Sequence, residues 1–183
     1  MNSYSNELEG IQSIIWHELQ CAVSNRQHGW RTMTLASLSC DGLPDARTVV
    51  LREVDPVEQQ LAIYTDKRSP KILQMTQHPN VSLVFWCSKL NWQLRIQAIA
   101  NTCHDPERAL RVWQHVRDTA GAQDYLSLQA PSSPIKEDGR LCEDKNQLCI
   151  INFNIQSIDW LSLSREGHRR AKIENGQLTW LTP

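Results

Sequence analysis

The sequence predicts a mostly β, antiparallel domain with a few peripheral helices, and three observations predict it. Alternating or β-branched runs recur at 32–39 (TMTLASLS), 46–54 (ARTVVLREV), 61–65 (LAIYT), 81–87 (VSLVFWC), 92–100 (WQLRIQAIA) and 148–164 (LCIINFNIQSIDWLSLS). Several of these runs are joined by turns too short for a parallel crossover. Helical spacing is confined to 5–23, 66–80 and 105–118, with 120–129 as a further candidate, so helices surround a sheet and do not alternate with strands. Small barrels close such a sheet and bind ligands at their mouths or surfaces.

Each element follows from local chemistry. Leu8, Ile11, Ile14, Ile15, Leu19 and Ala22 give the first helix its apolar stripe. CDGLPD (40–45) and DPVEQQ (55–60) are turns, so the first three strands form a meander. In the second helix Ser69 is the N-cap, Pro70 takes the first helical position and Pro79 ends the element. Leu94, Ile96 and Ala98 face one way on their strand; Gln93, Arg95 and Gln97 face the other, toward solvent or a site. Asp105 caps a third helix with Leu110, Trp113 and Val116 as its apolar stripe. Residues 130–147 are rich in Ser, Pro, Lys and Asp and form a surface loop. HRRAKIE and QLTWL flank Asn175-Gly176, a hairpin signal. With no repeat and no long linker, residues 1–183 are expected to be one domain, with 1–28 as an N-terminal helical segment.

Composition narrows the function. Nineteen basic and twenty acidic residues leave a net charge of −1, which gives no footprint for non-specific nucleic-acid binding. No apolar run reaches bilayer length and MNSYSNELEGIQ lacks a signal-peptide pattern, so a cytoplasmic protein is expected, without membrane or nucleic-acid partners. The six cysteines (21, 40, 87, 103, 142, 149) make no CxxC; Cys40, Cys87, Cys103 and Cys149 are read as small buried hydrophobes. WHELQ is not HExxH, and no metal site is expected. Of the seven tryptophans, all but Trp160 read as core and interface anchors.

Two arginines in RTVVLREVD (47–55) raise the functional question, because a charged head is rarely buried unpaired. Ser69-Pro70-Lys71 adds free helix N–H groups and a first-turn cation, which an intervening anion would reconcile; a solvated lysine is the plainer reading. Arg47 and Arg68 would supply further donors to a phosphate. Thr65 donates to a ligand or caps a turn, Tyr64 lines a site or packs in the core, and Gln93 reads a heteroaromatic edge or is an edge-strand polar residue.

Together, RTVVLR (47–52), YT (64–65), SPK (69–71), NVSLVFW (80–86), WQLRIQAIA (92–100) and DWLSLSREGHRRAKI (159–173) resemble the pyridoxamine 5′-phosphate oxidase-like FMN-binding split barrels. The resemblance implies a six-stranded antiparallel split β-barrel, a homodimer, and FMN held between subunits. It places Arg47 and Lys71 on the FMN phosphate, with Thr48, Val49, Val50, Leu51, Arg68 and Ser69 in the surrounding cofactor-binding set. Tyr64 and Thr65 would line the ribityl chain and ring, Gln93 and Gln129 of the partner subunit would meet the flavin, and Trp160 and Arg170 would close over it. Arg52, where the family usually has lysine, would face the flavin's pyrimidine end or a substrate. His168 and Arg52 are the candidate catalytic residues; for His168 a bond to neighbouring backbone is the alternative.

The departures are informative. Pro70 replaces an arginine common in the family, with Arg68 as a candidate compensation. The substrate-phosphate positions hold Val112, Val116 and Ala120, and Glu166 replaces an arginine, so poor binding of pyridoxamine 5′-phosphate is expected. The leading expectation is an FMN-dependent oxidoreductase with an unidentified small-molecule substrate. The alternatives are the oxidase itself, with Arg117, Arg165 or Arg169 as replacement ligands, a haem or deazaflavin binder, and a non-enzymatic flavin store or sensor.

Overall fold

The structure, a computed structural model, describes residues 3–135 and 145–183, with side chains from residue 10 onward. Part of the predicted 130–147 loop, including Cys142, therefore lies outside the described residues.

Strand β1 (Thr32–Leu38) pairs with β2 (Pro44–Val50) across a turn in which Gly42 takes φ 77°. Met33, Leu35 and Ser37 alternate inward, as the period-two pattern demands. The second strand does not run to residue 54 as predicted. At Leu51–Arg52 the chain changes partner: the Leu51 N–H donates to the Arg31 carbonyl, and the Arg52 N–H to the Ala62 carbonyl. Strand β3 (Glu53–Asp55) then pairs with β4 (Gln60–Asp66). The predicted meander is thus two hairpins, because an unbroken run of β-formers carries no mark of a change of partner.

Strands β5 (Asn80–Cys87), β6 (Trp92–Thr102) and β7 (Leu148–Ser162) complete an antiparallel order β2-β1-β5-β6-β7-β4-β3. Since β2 and β3 are nearly one continuous strand, the order returns on itself as a six-stranded split barrel. A hairpin, β8 (Arg169–Glu174) and β9 (Gln177–Leu181), extends the sheet from β7. Its turn needs left-handed backbone at both central positions, and Asn175 (φ 51°) and Gly176 (φ 72°) supply it.

Helix α1 (Ser3–Ser24) buries Ile11, Ile15, Leu19 and Ala22 against the barrel, while Ile14 stays exposed. The Arg31 guanidinium donates to the Ala22 and Val23 carbonyls and so closes its C-terminus. Helix α2 (Pro70–Gln77) turns Gln74 and Met75 inward. Ser69 sits at its N-cap, yet its hydroxyl makes no capping bond. Helix α3 (Pro106–Val116) is capped by Asp105, whose Oδ1 accepts from the Glu107 and Arg108 N–H groups. Its packed face is Val112, Trp113 and Val116 against Ala62, Tyr125, Leu148 and Ile150; Leu110 is exposed, one position off the predicted stripe. The candidate helix at 120–129 is a short 3₁₀ segment, Ala120–Tyr125.

An aromatic chain fills the barrel: Trp30 meets Phe85 and Trp92, Trp92 meets Trp160 edge-on at 5.1 Å, and Trp160 meets Trp180. Of the cysteines expected to be buried, Cys87 is; Cys103 and Cys149 are half-buried and Cys40 is exposed in a turn.

Candidate functional site

Two strand ends and the start of α2 build a polar notch. Arg47 pairs across β1 with Leu35 and so faces inward at the end of the barrel, where α2 lies above it. Its Nη1 donates to Ser37 Oγ at 2.7 Å and its Nη2 to Gln74 Oε1 at 2.7 Å and to Asp45 at 2.5 Å. Lys71 extends from the first turn of α2 and donates to Ser69 Oγ at 2.6 Å and Thr65 Oγ1 at 3.1 Å. Among the described residues this half-buried ammonium has hydroxyl partners and no ion pair. Burial and the neighbouring Arg47 charge push its pKa below the ordinary lysine value, against a smaller opposing pull from Asp66 and Asp45. The Ser69 hydroxyl is thus spent on Lys71, which explains the missing cap.

A second cluster lies where β3 and β4 meet α3. The Tyr64 hydroxyl donates to Glu53 Oε1 at 2.8 Å, and Arg108 Nη2 donates to Glu53 Oε2 at 2.7 Å. Burial first, and the Glu53 carboxylate next, push the Tyr64 phenol far above its usual pKa. Arg52 lies over the Tyr64 ring at 5.8 Å and leaves its buried Nε without a partner. Beside this network a cavity of about 380 Å³ is lined by Glu53, Tyr64, Arg108, Arg111, Val112 and Val116, with His115 at its edge. Positions 112 and 116 hold valines in place of the substrate-phosphate ligands the resemblance implies, yet the cavity is not without cations. Arg108, Arg111 and His115 stand at neighbouring positions of the same helix and line this cavity.

The outward face of the sheet holds a third group. Thr48, Thr34, Val84, Arg95 and Asp159 occupy one row, and Trp86, Gln93, Leu161 and Arg170 the next. Arg170 grips Asp159 through Nε (3.0 Å) and Nη2 (2.7 Å), and Arg95 holds the same carboxylate. Burial raises the Asp159 pKa, but the two guanidiniums outweigh it and the net shift is downward.

The structure thus gathers Arg47, Thr65, Ser69 and Lys71 in the notch, and places Thr48, Gln93 and Arg170 on the outer face. Val49 packs against the core, Val50 is half-buried, and Leu51 is fully buried and offers a ligand backbone only. Arg68 is committed elsewhere: it forks onto Asp66 and donates to the carbonyls of Ser127, Leu128 and Gln129. It therefore does not stand in for the arginine replaced by Pro70, and instead fixes the segment that carries Gln129. Trp160 is 2% exposed, inside the barrel. Strand alternation turns Asp159 and Leu161 outward in its place, a parity that motif matching does not see. The His168 ring accepts from the Ser164 N–H at 3.2 Å, the backbone role weighed above. Asp45, Gln74 and Ser37 were missed: Asp45 and Ser37 are short polar residues near a turn, and Gln74 is a helical glutamine, all of which look merely solvated in sequence.

A barrel of this order, split at Leu51–Arg52, with a helix start and two cations at one end, defines the FMN-binding split-barrel class. The chain belongs to the pyridoxamine 5′-phosphate oxidase FMN-binding domain family, whose sequence model matches residues 13–104. It is 43% identical over 65 residues to a pyridoxine/pyridoxamine 5′-phosphate oxidase of Thermosynechococcus vestitus, covering 36% of this chain and 30% of that protein. A namesake from Microcystis aeruginosa is 35% identical over 89 residues, 49% of this chain and 41% of that one. The matches span under half the length of these curated relatives. Among solved structures, an FMN-binding protein related to pyridoxamine 5′-phosphate oxidase from Nostoc punctiforme superposes with a TM-score of 0.75 at 21% identity, over 93% of this chain and 96% of that one. PhzG from Burkholderia lata, solved with tetrahydrophenazine-1-carboxylic acid, gives 0.75 at 16% identity, over 93% and 91%. These two likenesses show the fold.

The family's cofactor is FMN, and the residues present fit it. A phosphate needs several convergent donors in a partly desolvated place. The notch supplies Arg47, Lys71 and two hydroxyls, with an ammonium that no carboxylate of the described residues neutralises.

Proposed function

We propose that the protein is an FMN-dependent oxidoreductase that works as a homodimer in the cytoplasm, each chain a single domain. The observation that carries it is Lys71: a half-buried cation beside a second cation, held among the described residues by two hydroxyls. In this reading Arg47 and Lys71 bind the FMN phosphate, Ser69 and Thr65 orient Lys71, and the 47–52 backbone runs along the ribityl chain. Thr48, Gln93 and Arg170 lie on the opposite sheet face from Arg47, so a second copy is needed to bring the two sets onto one ligand. Gln129 of the partner subunit would join them, from a segment pinned by Arg68.

When bound, FMN accepts and returns a hydride equivalent. The chain's own contribution is placement and charge. In this reading Arg52, a cation over the Tyr64 ring, would supply positive charge that favours the reduced flavin. Tyr64 stays a neutral phenol locked onto Glu53, so it shapes the cavity and donates no proton to a substrate. The substrate enters the cavity beside Tyr64. Arg108 is tied to Glu53 there, Arg111 pairs with Asp105 and Glu107, and positions 112 and 116 are apolar, so pyridoxamine 5′-phosphate is turned over poorly.

The test is direct. Purified protein, titrated with FMN, is expected to perturb the flavin's visible spectrum and to quench its fluorescence saturably. Protein that never quenches FMN overturns the proposal. Pyridoxal 5′-phosphate formation at the rate of a true oxidase would overturn the statement about substrate alone.

A further inference from the structure

We infer that Asp45 sets the affinity of the phosphate notch, as an internal anion that neutralises Arg47 and makes the flavin nucleotide an exchangeable ligand. The inference rests on the FMN reading above and adds a residue that opposes it.

Asp45 and Arg47 lie two apart on β2 and share a face. The carboxylate meets Arg47 Nη2 at 2.5 Å. It is fixed from behind by Gln74, which is 7% exposed and whose Nε2 donates to Asp45 Oδ2 at 2.8 Å. The same amide's Oε1 accepts from Arg47 Nη2 at 2.7 Å and from Ser37 Oγ at 3.0 Å. Gln74 and Ser37 alone would hold the guanidinium in place. What Asp45 adds is a full negative charge, on a side chain 43% exposed, at the mouth of the notch.

A phosphate reaching Arg47 must either displace that carboxylate from Nη2 or sit beside it. Both reduce the gain from the Arg47 contact, since like charges a few ångströms apart repel even near a protein surface. Arg68 and Arg170 are also held by carboxylates of their own chain, Asp66 and Asp159. Among the described residues, Lys71 is then the notch cation that meets the phosphate without a carboxylate hydrogen-bonded to it, and FMN comes and goes in place of being permanently held.

The experiment compares FMN and riboflavin binding, by fluorescence quenching, in the wild type, Asp45→Asn and Gln74→Leu. Asparagine keeps an acceptor for Gln74 and removes the charge. Asp45→Asn is expected to tighten FMN binding about fivefold or more and to slow its dissociation. Gln74→Leu is expected to weaken FMN binding about tenfold, because Arg47 and Ser37 lose their shared acceptor. Riboflavin, which lacks the phosphate, should bind wild type and Asp45→Asn alike. Unchanged or weaker FMN binding by Asp45→Asn, or an equal gain for riboflavin, overturns the inference while leaving the FMN reading intact. If Asp45→Asn does not fold, Asp45→Ser, equally neutral, carries the same test. Loss of saturable FMN binding in wild type and both charge-neutral variants overturns the FMN reading itself.

Discussion

At the scale of single residues, Lys71 shows a conflict between stability and binding. Its folded-state pKa is lowered, so the unfolded chain holds the proton more tightly. The fold therefore bears a cost while Lys71 is charged, and recovers stability as pH rises from the lowered value toward the usual lysine range. Lys71→Met should raise the melting temperature of the flavin-free protein by about 2 °C. It should also weaken FMN binding at least about tenfold. Calorimetry and fluorescence titration on one preparation check both; a variant that loses stability and keeps FMN would show that Lys71 is a structural residue. The cations were legible in the sequence because a charge inside a run of β-formers has to be explained. Their carboxylate partners were not. Asp45 and Asp66 each stand two residues from their arginine beside a turn, where an acid is unremarkable, and Asp159 lies eleven residues from Arg170 across a hairpin.

At the scale of elements, the three-strand seam of β6, β7 and β8 is stitched by Asp159. Its pKa is depressed overall, so its contribution is present above the unfolded value near 3.8 and is lost as pH falls through the lower folded value. Asp159→Asn should cost about 2 kcal/mol at neutral pH. The gap from wild type in urea denaturation should narrow once pH drops below 3.8. A gap independent of pH would mean that the loss is one of packing. A parallel case joins α3 to β3. Removing the charge of the shared carboxylate in Glu53→Gln should bring the Tyr64 phenol down toward its ordinary value, because the Glu53 charge and hydrogen bond add to burial in holding it up. Spectrophotometric titration of tyrosine absorbance checks this, and an unchanged profile would show that burial alone holds Tyr64 up. Strand positions were readable from alternation, and the Asn175-Gly176 hairpin from its turn chemistry. The break at Leu51–Arg52 was not, because both sides of it are good β-formers and only the partner changes. The face of Trp160 was missed for a related reason: a motif fixes spacing along the chain, whereas one residue of parity decides between core and ligand.

At the scale of the whole molecule, the outward face of β1, β2 and β5 is where the single chain looks incomplete. Trp86 is 46% exposed there, an unusual place for a tryptophan on an isolated domain. With Thr34, Thr48 and Val84 it lines a shallow hollow of about 220 Å³ whose floor is neutral. In the same cross-strand row as Trp86 stand Gln93 and Arg170, on the face that the Arg47 notch does not share. A two-fold contact through this face would bury Trp86 and bring one protomer's Gln93 and Arg170 toward its partner's notch. Sedimentation of the wild type should give twice the 21.0 kDa chain mass. Because Trp86 points away from the core, Trp86→Glu should leave the barrel's circular dichroism unchanged, shift the protein to monomer, and weaken FMN binding in step with dimer loss. A wild type that sediments as a monomer with FMN bound would mean that one chain closes the site alone; a monomeric Trp86→Glu with undiminished FMN affinity would place the whole cofactor grip in the notch.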